Sequence, residues 1–330
     1  MAKANVSGKL ISTFEFTRNK RCAIHGELVA ARVSHSKSST FPEMNQTPSI
    51  SVDLRSIVQI DNVKFRTFGS AASGENVFSC SWSEATLLHQ TQNAQRDVLC
   101  AFTERHILRC YPAGSRIMSG NFDPSMAWSI GAQMVALNFQ ANDEPIWINR
   151  GKYLVNGACG FIRKPDYLNN NGLQLLVEPI LLLEITVLAC SGWDIFLNER
   201  NPSMSPDTCI CISLSGSKLD TESQMTSVFS SRAQTGPCAQ PYYNETFNFQ
   251  VFEPELSVLL ITVYDKSAAW KDRFLAQSSS PVALLRPGIR LVPLYDKFGK
   301  YVGKELTSYA PIASPLQNII SFSTHHLKSV

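Results

Sequence analysis

The segment RCYPAGSRIMSGNFDPSMAWSIGAQMVALNFQ, from Arg109 to Gln140, gathers residue types that can do chemistry. Arg109 and Tyr111 flank Cys110, and the turn residues Pro112, Ala113 and Gly114 follow at once. A guanidinium makes charge-assisted, two-point hydrogen bonds to an anion, and a tyrosine offers an apolar ring with a polar tip. On a strand, positions 109 and 111 share a face. Read by themselves, the two residues suit an internal ion pair and a core tyrosine rather better than a ligand site.

Other reactive types are scattered. Nine cysteines, an odd number, occur without CxxC spacing, so buried, reduced thiols are expected. Cys209 and Cys211 share a strand face, and no Cys or His pair flanks them at the spacing of zinc ligands. His325 and His326 are neighbours, and adjacent strand residues point to opposite faces, so a solvated end suits them better than a metal site. Net charge is +3 over 330 residues, which gives no global attraction to nucleic acid. With 44% hydrophobic and 17% charged residues, the composition supports a sizeable core and two domains. The N-terminus lacks an uninterrupted apolar run, so no secretory signal is expected, and the Asn-x-Ser/Thr sites such as Asn244 are expected to be bare. The stretch LQLLVEPILLLEITVLAC is broken by Glu178, Pro179 and Glu184, too interrupted for a membrane span.

The elements follow from periodicity. Residues 1–50, basic and then Ser/Thr/Pro-rich, read as a tail or linker. Residues 51–168 alternate strands and helices. NVKFRTF, NVFSCS, HILRCY and QMVALNFQ are the strands, and SEATLLHQTQNAQRDVLCAFTE is a helix capped by Ser83. Asp123 and Pro124 start a short helix. The alternation implies parallel pairing, either as a small open sheet or as half of an eight-stranded barrel. Residues 169–177 read as a linker. Residues 178–310 lose the helices and show short alternating strands such as TFNFQVF, the pattern of an antiparallel sandwich. Residues 311–330 read as a C-terminal tail.

The motifs SWSEA (81–85), LRCYPAG (108–114), NFDP (121–124), WSIGAQMVALNFQ (128–140) and NGACGFIRKPDYL (156–168) together resemble the Y-box half of the catalytic barrel of eukaryotic phosphoinositide-specific phospholipase C. SPDTCICISLSG, ETFNFQV and VYDKSAAWKDRFLAQ resemble, more weakly, the C2 domain of the same enzymes. The resemblance covers roughly residues 52 to 310. It implies the C-terminal half of a TIM-type (β/α)8 barrel followed by an antiparallel C2-type β-sandwich. Barrel sites lie at the C-terminal ends of strands, where Ser81, Arg109 and Tyr111 fall. The family's matching positions hold the headgroup: Arg109 and Ser81 on a ring phosphate, Tyr111 against the flat face of the inositol. Arg105 and Arg116 are further phosphate candidates, for which a solvated surface is the better expectation.

The family's reaction, attack of the inositol 2-hydroxyl on phosphorus, uses two histidines and a calcium ion. Both come from the family's X half, and no X-box pattern is legible upstream of residue 52. None of the six histidines matches a catalytic position, so no catalytic residue is expected in these residues. Two readings remain. One is a phospholipase C of lipid signalling, cleaving phosphatidylinositol 4,5-bisphosphate to inositol 1,4,5-trisphosphate and diacylglycerol, for which this chain supplies headgroup recognition and membrane docking. The other is a non-catalytic binder of phosphoinositide or of a partner. The expected partners are phosphoinositide and an anionic membrane surface, with an X half or another protein covering the half-barrel; no nucleic acid is expected. The implied location is cytoplasmic and peripheral at the membrane. In the sandwich, Asp207 and Asp265 match calcium-binding positions, but Ser267 and Arg273 stand where further aspartates belong, making a poor cup for calcium. Trp270 and Lys271 could instead touch a membrane interface or be solvated. Ser115 stands where the family often carries a large apolar, membrane-facing residue.

Overall fold

The backbone of a buried strand must find partners, and the computed structural model shows where each strand finds them. It describes residues 57–68, 77–169, 178–191, 206–230, 241–267, 272–302 and 317–326. Four strands, β1 (Asp61–Asn62), β2 (Phe78–Ser83), β3 (Ile107–Tyr111) and β4 (Met134–Val135), lie parallel in that order. Helices α1 (Glu84–Asn93) and α2 (Arg96–Arg105) connect β2 to β3. The short α3 (Ser125–Trp128) precedes β4, and α4 (Glu144–Lys152) follows it. One sheet face is dry. Cys80, Trp82, Leu108 and Cys110 pack there against Leu87, Leu99, Phe102, Phe122 and Ile130.

Ser83 caps α1 as expected, accepting from the Thr86 N–H at 3.3 Å. Asp123 accepts from the Ser125 N–H at 2.9 Å at the start of α3. Three elements depart from the periodicity. The long helix is two helices, broken at Ala94 and Gln95, which take extended backbone angles. The break starts α2 at Arg96, whose side chain reaches Glu253 across the molecule, and that contact outweighs helix continuity. NVKFRTF pairs only through β1, because Phe65 and Phe68 turn into an aromatic cluster with Trp82 and Phe102, at centroid distances of 5.0 to 6.3 Å. QMVALNFQ is a strand only over Met134–Val135. Beyond it the Asn138 N–H goes to the Asn121 side chain at 2.6 Å, and among the described residues no strand flanks the outer edge of β4.

The sandwich has two four-stranded sheets. One combines β5 (Leu181–Ser191) and β8 (Tyr242–Val251) with β11 (Gly288–Pro293) and β12 (Gln317–His326); the other combines β6 (Thr208–Ser215), β7 (Glu222–Met225), β9 (Val258–Asp265) and β10 (Arg273–Pro281). Alternation works as read: Leu181, Leu183, Ile185 and Val187 of β5 meet Phe247, Phe249 and Val251 of β8 in one core. Residues 317–326, read as part of a tail, are a full strand between β5 and β11. His325 and His326 end that strand opposite Leu182 and Leu181.

The sheet of β1–β4 and the sandwich fall within one unit, Val58–Val330, and share a third core. Cys100, Trp128, Trp147, Ile148 and Leu168 pack there against Leu256, Val258 and Leu260. Gly151 lets α4 approach the sandwich, since a Cβ there would sit 2.7 Å from Ser279 Cβ. Polar bolts cross the same seam. Arg96 forms a two-point ion pair with Glu253, which is 2% exposed, and its Nη2 lies 2.8 Å from Oε2. Lys152 donates to the Glu255 carbonyl at 2.6 Å, and the Ser125 and Ser215 hydroxyls bond at 2.8 Å. Behind Glu253, the fully buried Asp220 accepts from the N–H groups of Phe252 and Glu253 and from the Ser257 hydroxyl.

Candidate headgroup site

Because the dry face of β2 and β3 takes Cys80, Trp82, Leu108 and Cys110, the residues between them face the other way. Ser81 pairs with Arg109, which pairs with Met134, so these three side chains form one row across the open face. Tyr111 stands one step further along, paired with Ser83. Ser81 and Arg109 are exposed and Tyr111 is half-buried. The structure therefore brings together all three residues expected at the site, at the C-terminal ends of their strands. The Arg109 guanidinium carbon lies 5.2 Å from the Tyr111 ring centroid, a cation–π contact that steers the side chain over the face. Among the described residues Arg109 makes no ion pair.

Two loops rise beside this row, each fixed by contacts that spacing did not reveal. After β3, Glu84 accepts from the Ala113 N–H at 3.1 Å and from Arg116 through two bonds of 2.5 and 2.7 Å. Those bonds to Arg116 hold the Glu84 carboxyl below its usual range. Arg116 is thus a partly exposed loop anchor, its guanidinium engaged by Glu84. Arg105 ends α2, at the N-terminal end of β3, away from the site. Asn121, ahead of α3, and Asp143, after β4, form a clamp: the Asn121 N–H and amide each donate to Asp143 at 2.9 Å. Glu84 lies inside SWSEA and Asn121 inside NFDP, so both were in view, but nothing in sequence spacing pairs them with residues 22 to 32 positions away. The loops carry exposed apolar residues: Ile117 at 92%, Met118 at 91% and Phe139 at 58%.

His106 is buried, stacked on Phe78 at 3.8 Å, and its Nδ1 accepts from the Phe78 N–H at 3.4 Å, a structural role. His89 is exposed on α1.

Among the described residues, the carboxylates of the sandwich loops are engaged by other groups. Asp265 accepts from Arg273 Nη2 at 3.0 Å and from the Ser267 N–H at 2.9 Å, so a guanidinium already sits on this carboxylate. Asp207 accepts from the Ser230 hydroxyl at 3.2 Å, and Asp272 is ion-paired with Lys266. Calcium requires six to eight oxygens, and these carboxylates are turned to other partners. Trp270 and Lys271 lie outside the described residues.

A parallel sheet with one open face, joined by a shared core to an antiparallel β-sandwich, defines the class of this protein. Residues 54–167 match the Y domain of phosphatidylinositol-specific phospholipase C, and residues 181–293 match the C2 domain. The chain thus carries a region similar to the phospholipase C Y domain followed by a region similar to a C2 domain. It is 33% identical over 237 residues to phosphoinositide phospholipase C 6 of Arabidopsis thaliana, covering 68% of this chain and 37% of that protein. It is 35% identical over 205 residues to 1-phosphatidylinositol 4,5-bisphosphate phosphodiesterase zeta-1 of Sus scrofa, covering 60% and 31%. The chain thus spans about 37% of the first of these relatives. The crystal structure of L. pealei PLC21 superposes with a TM-score of 0.70 at 22% identity, covering 86% of this chain and 35% of that one, which establishes the fold.

Proposed function

We propose that this chain supplies the headgroup-recognition half of a phosphoinositide phospholipase C, and that its substrate is phosphatidylinositol 4,5-bisphosphate. The carrying observation is the row Ser81–Arg109 with Tyr111 beside it, exposed on the open sheet face, the guanidinium held over the ring and unpaired with any described carboxylate. A ring phosphate would take the Arg109 guanidinium through two parallel hydrogen bonds and the Ser81 hydroxyl through a third. The Tyr111 ring would limit the slot and lie along the flat face of the inositol. The contribution is binding and orientation: the scissile phosphodiester is placed by fixing the ring. The proton-transfer groups and catalytic calcium that the family resemblance implies belong to an X half outside the matched residues, and this chain's residues perform no bond-breaking step. Ile117, Met118 and Phe139 surround the site with exposed apolar tips, suited to the headgroup layer of an anionic membrane. No helix among the described residues is long and apolar enough to cross a bilayer, so the membrane contact proposed is peripheral.

The test combines this chain with the X half of a relative. Restored calcium-dependent release of inositol trisphosphate is expected. Arg109→Ala should then depress cleavage of the bisphosphorylated lipid more than that of phosphatidylinositol, which lacks the ring phosphate. Equal losses on both lipids would make the arginine structural. Headgroup binding without activity in any combination would favour the non-catalytic binder.

A further inference from the structure

Between β11 and β12 the chain makes a tight turn, Asp296-Lys297-Phe298-Gly299-Lys300. Its backbone is spent inward. Asp296 Oδ1 accepts from the N–H groups of Phe298 and Lys300 at 2.9 and 2.8 Å, and the Asp296 N–H donates to the Lys300 carbonyl at 2.8 Å. Gly299 has φ +81°, and a Cβ there would meet Arg150 at 2.7 Å, so only glycine lets the turn settle on α4. What remains outward is Lys297, Phe298 and Lys300. Phe298 is 58% exposed, and the Lys297 ammonium sits 4.9 Å from its ring centroid.

One exposed phenylalanine means little by itself. Its company and its mounting single this one out. Three cations, Lys297, Lys300 and Arg150, lie at the turn, and the Asp296 carboxylate there is occupied by backbone donors. The turn is bolted to the barrel side of the seam: the Trp147 indole donates to the Lys297 carbonyl at 2.9 Å, and Trp147 stacks on Phe274 at 4.6 Å. Arg150 also reaches Asn142 Oδ1 at 3.5 Å, in the loop that carries Phe139. Strand pairing sends the turn the same way as the 265–273 end of the sandwich, because Tyr295 runs antiparallel to Gln277 of β10. Through Arg150 the turn is thus linked to the loop that carries Phe139.

We propose that Lys297, Phe298 and Lys300 form a calcium-independent anchor for an anionic lipid surface, inserting the phenyl ring at the boundary between headgroups and acyl chains while the ammonium groups meet lipid phosphates. Burying one such ring and placing two lysines at an anionic surface each contribute on the scale that sets peripheral binding. The orientation of the anchor rests on the reading of the open face as the headgroup site; the lipid contact does not.

Vesicle sedimentation of the full chain tests it with phosphatidylcholine vesicles, with and without phosphatidylserine, free of phosphoinositide and in chelator. Phe298→Ser should lower partitioning onto serine-containing vesicles about tenfold, with an unchanged melting temperature because the anchoring bonds are to backbone. Phe298→Leu should recover most of it. Replacing Lys297 and Lys300 by alanine should flatten the dependence on phosphatidylserine and on salt. Phe298→Ser should leave binding of soluble inositol 1,4,5-trisphosphate unchanged, which separates this result from the fate of the headgroup reading. Wild-type partitioning in Phe298→Ser, or an equal loss in Phe298→Leu and Phe298→Ser, would overturn the proposal.

Discussion

Arg109 is a cation on an open sheet face with an aromatic ring beside it and no described carboxylate to neutralise it. That arrangement suits an anion that arrives in two-point geometry, which a lysine ammonium does not reproduce. Arg109→Lys should therefore weaken binding of bisphosphorylated headgroup about tenfold or more, a loss on the scale of one charge-assisted hydrogen bond. Isothermal titration of the variant checks it; an unchanged affinity would mean that only net charge matters. Lys152 makes a different prediction. Burial at the seam pushes its ammonium down to about 8. Its folded value lies below the unfolded one, so between about 8 and the ordinary lysine range the unfolded chain holds one more proton than the folded chain. Stability contributed by this site then rises with pH across that window, by about 3 kcal/mol at most. The difference in unfolding free energy between wild type and Lys152→Met isolates it from the buried cysteines that titrate nearby. A difference that stays flat from neutral to alkaline pH would show the lysine to be better solvated than its surroundings imply.

At the scale of elements, periodicity served where a segment is governed by its own neighbours in sequence. β5 and β8 alternate as read, Ser83 caps α1, and Arg109 and Tyr111 share a face because the strand repeat requires it. It failed where a distant contact decides. The break at Ala94 serves Arg96 and Glu253; the shortening of β4 follows from Asn121 claiming Asn138. The motif match placed Ser81, Arg109 and Tyr111, but the anchors Glu84–Arg116 and Asn121–Asp143 become visible only when the chain is folded. Two element-level outcomes follow. Arg96→Ala leaves the carboxylate of Glu253 buried without its cation and should cost about 2–3 kcal/mol, part of which Glu253→Gln in the same chain restores. Chemical denaturation of the single and double variants measures it, and a double variant no better than the single would locate the cost elsewhere. In the sandwich, Arg273 already occupies Asp265. Calcium titration of the full chain should give no saturable heat at micromolar metal, whereas saturable binding abolished by Asp265→Asn would show that the guanidinium gives way.

The whole molecule departs from an account of two separable halves. The sandwich has its own core, but the sheet of β1–β4 completes its hydrophobic burial on Leu256, Val258 and Leu260 across the seam. Limited proteolysis should release a resistant fragment beginning near residue 178, while residues 52–168 cut free of the sandwich should be digested and aggregation-prone. Equal resistance of the isolated N-terminal piece would show that the four strands close by themselves. The central claim is that the open face binds a phosphorylated inositol, and titration of the full chain with soluble inositol 1,4,5-trisphosphate addresses it most directly, since neither membrane nor catalysis intervenes. The account predicts saturable, salt-sensitive binding that Arg109→Ala abolishes and Phe298→Ser leaves intact; no binding, or binding of equal strength in Arg109→Ala, would contradict it.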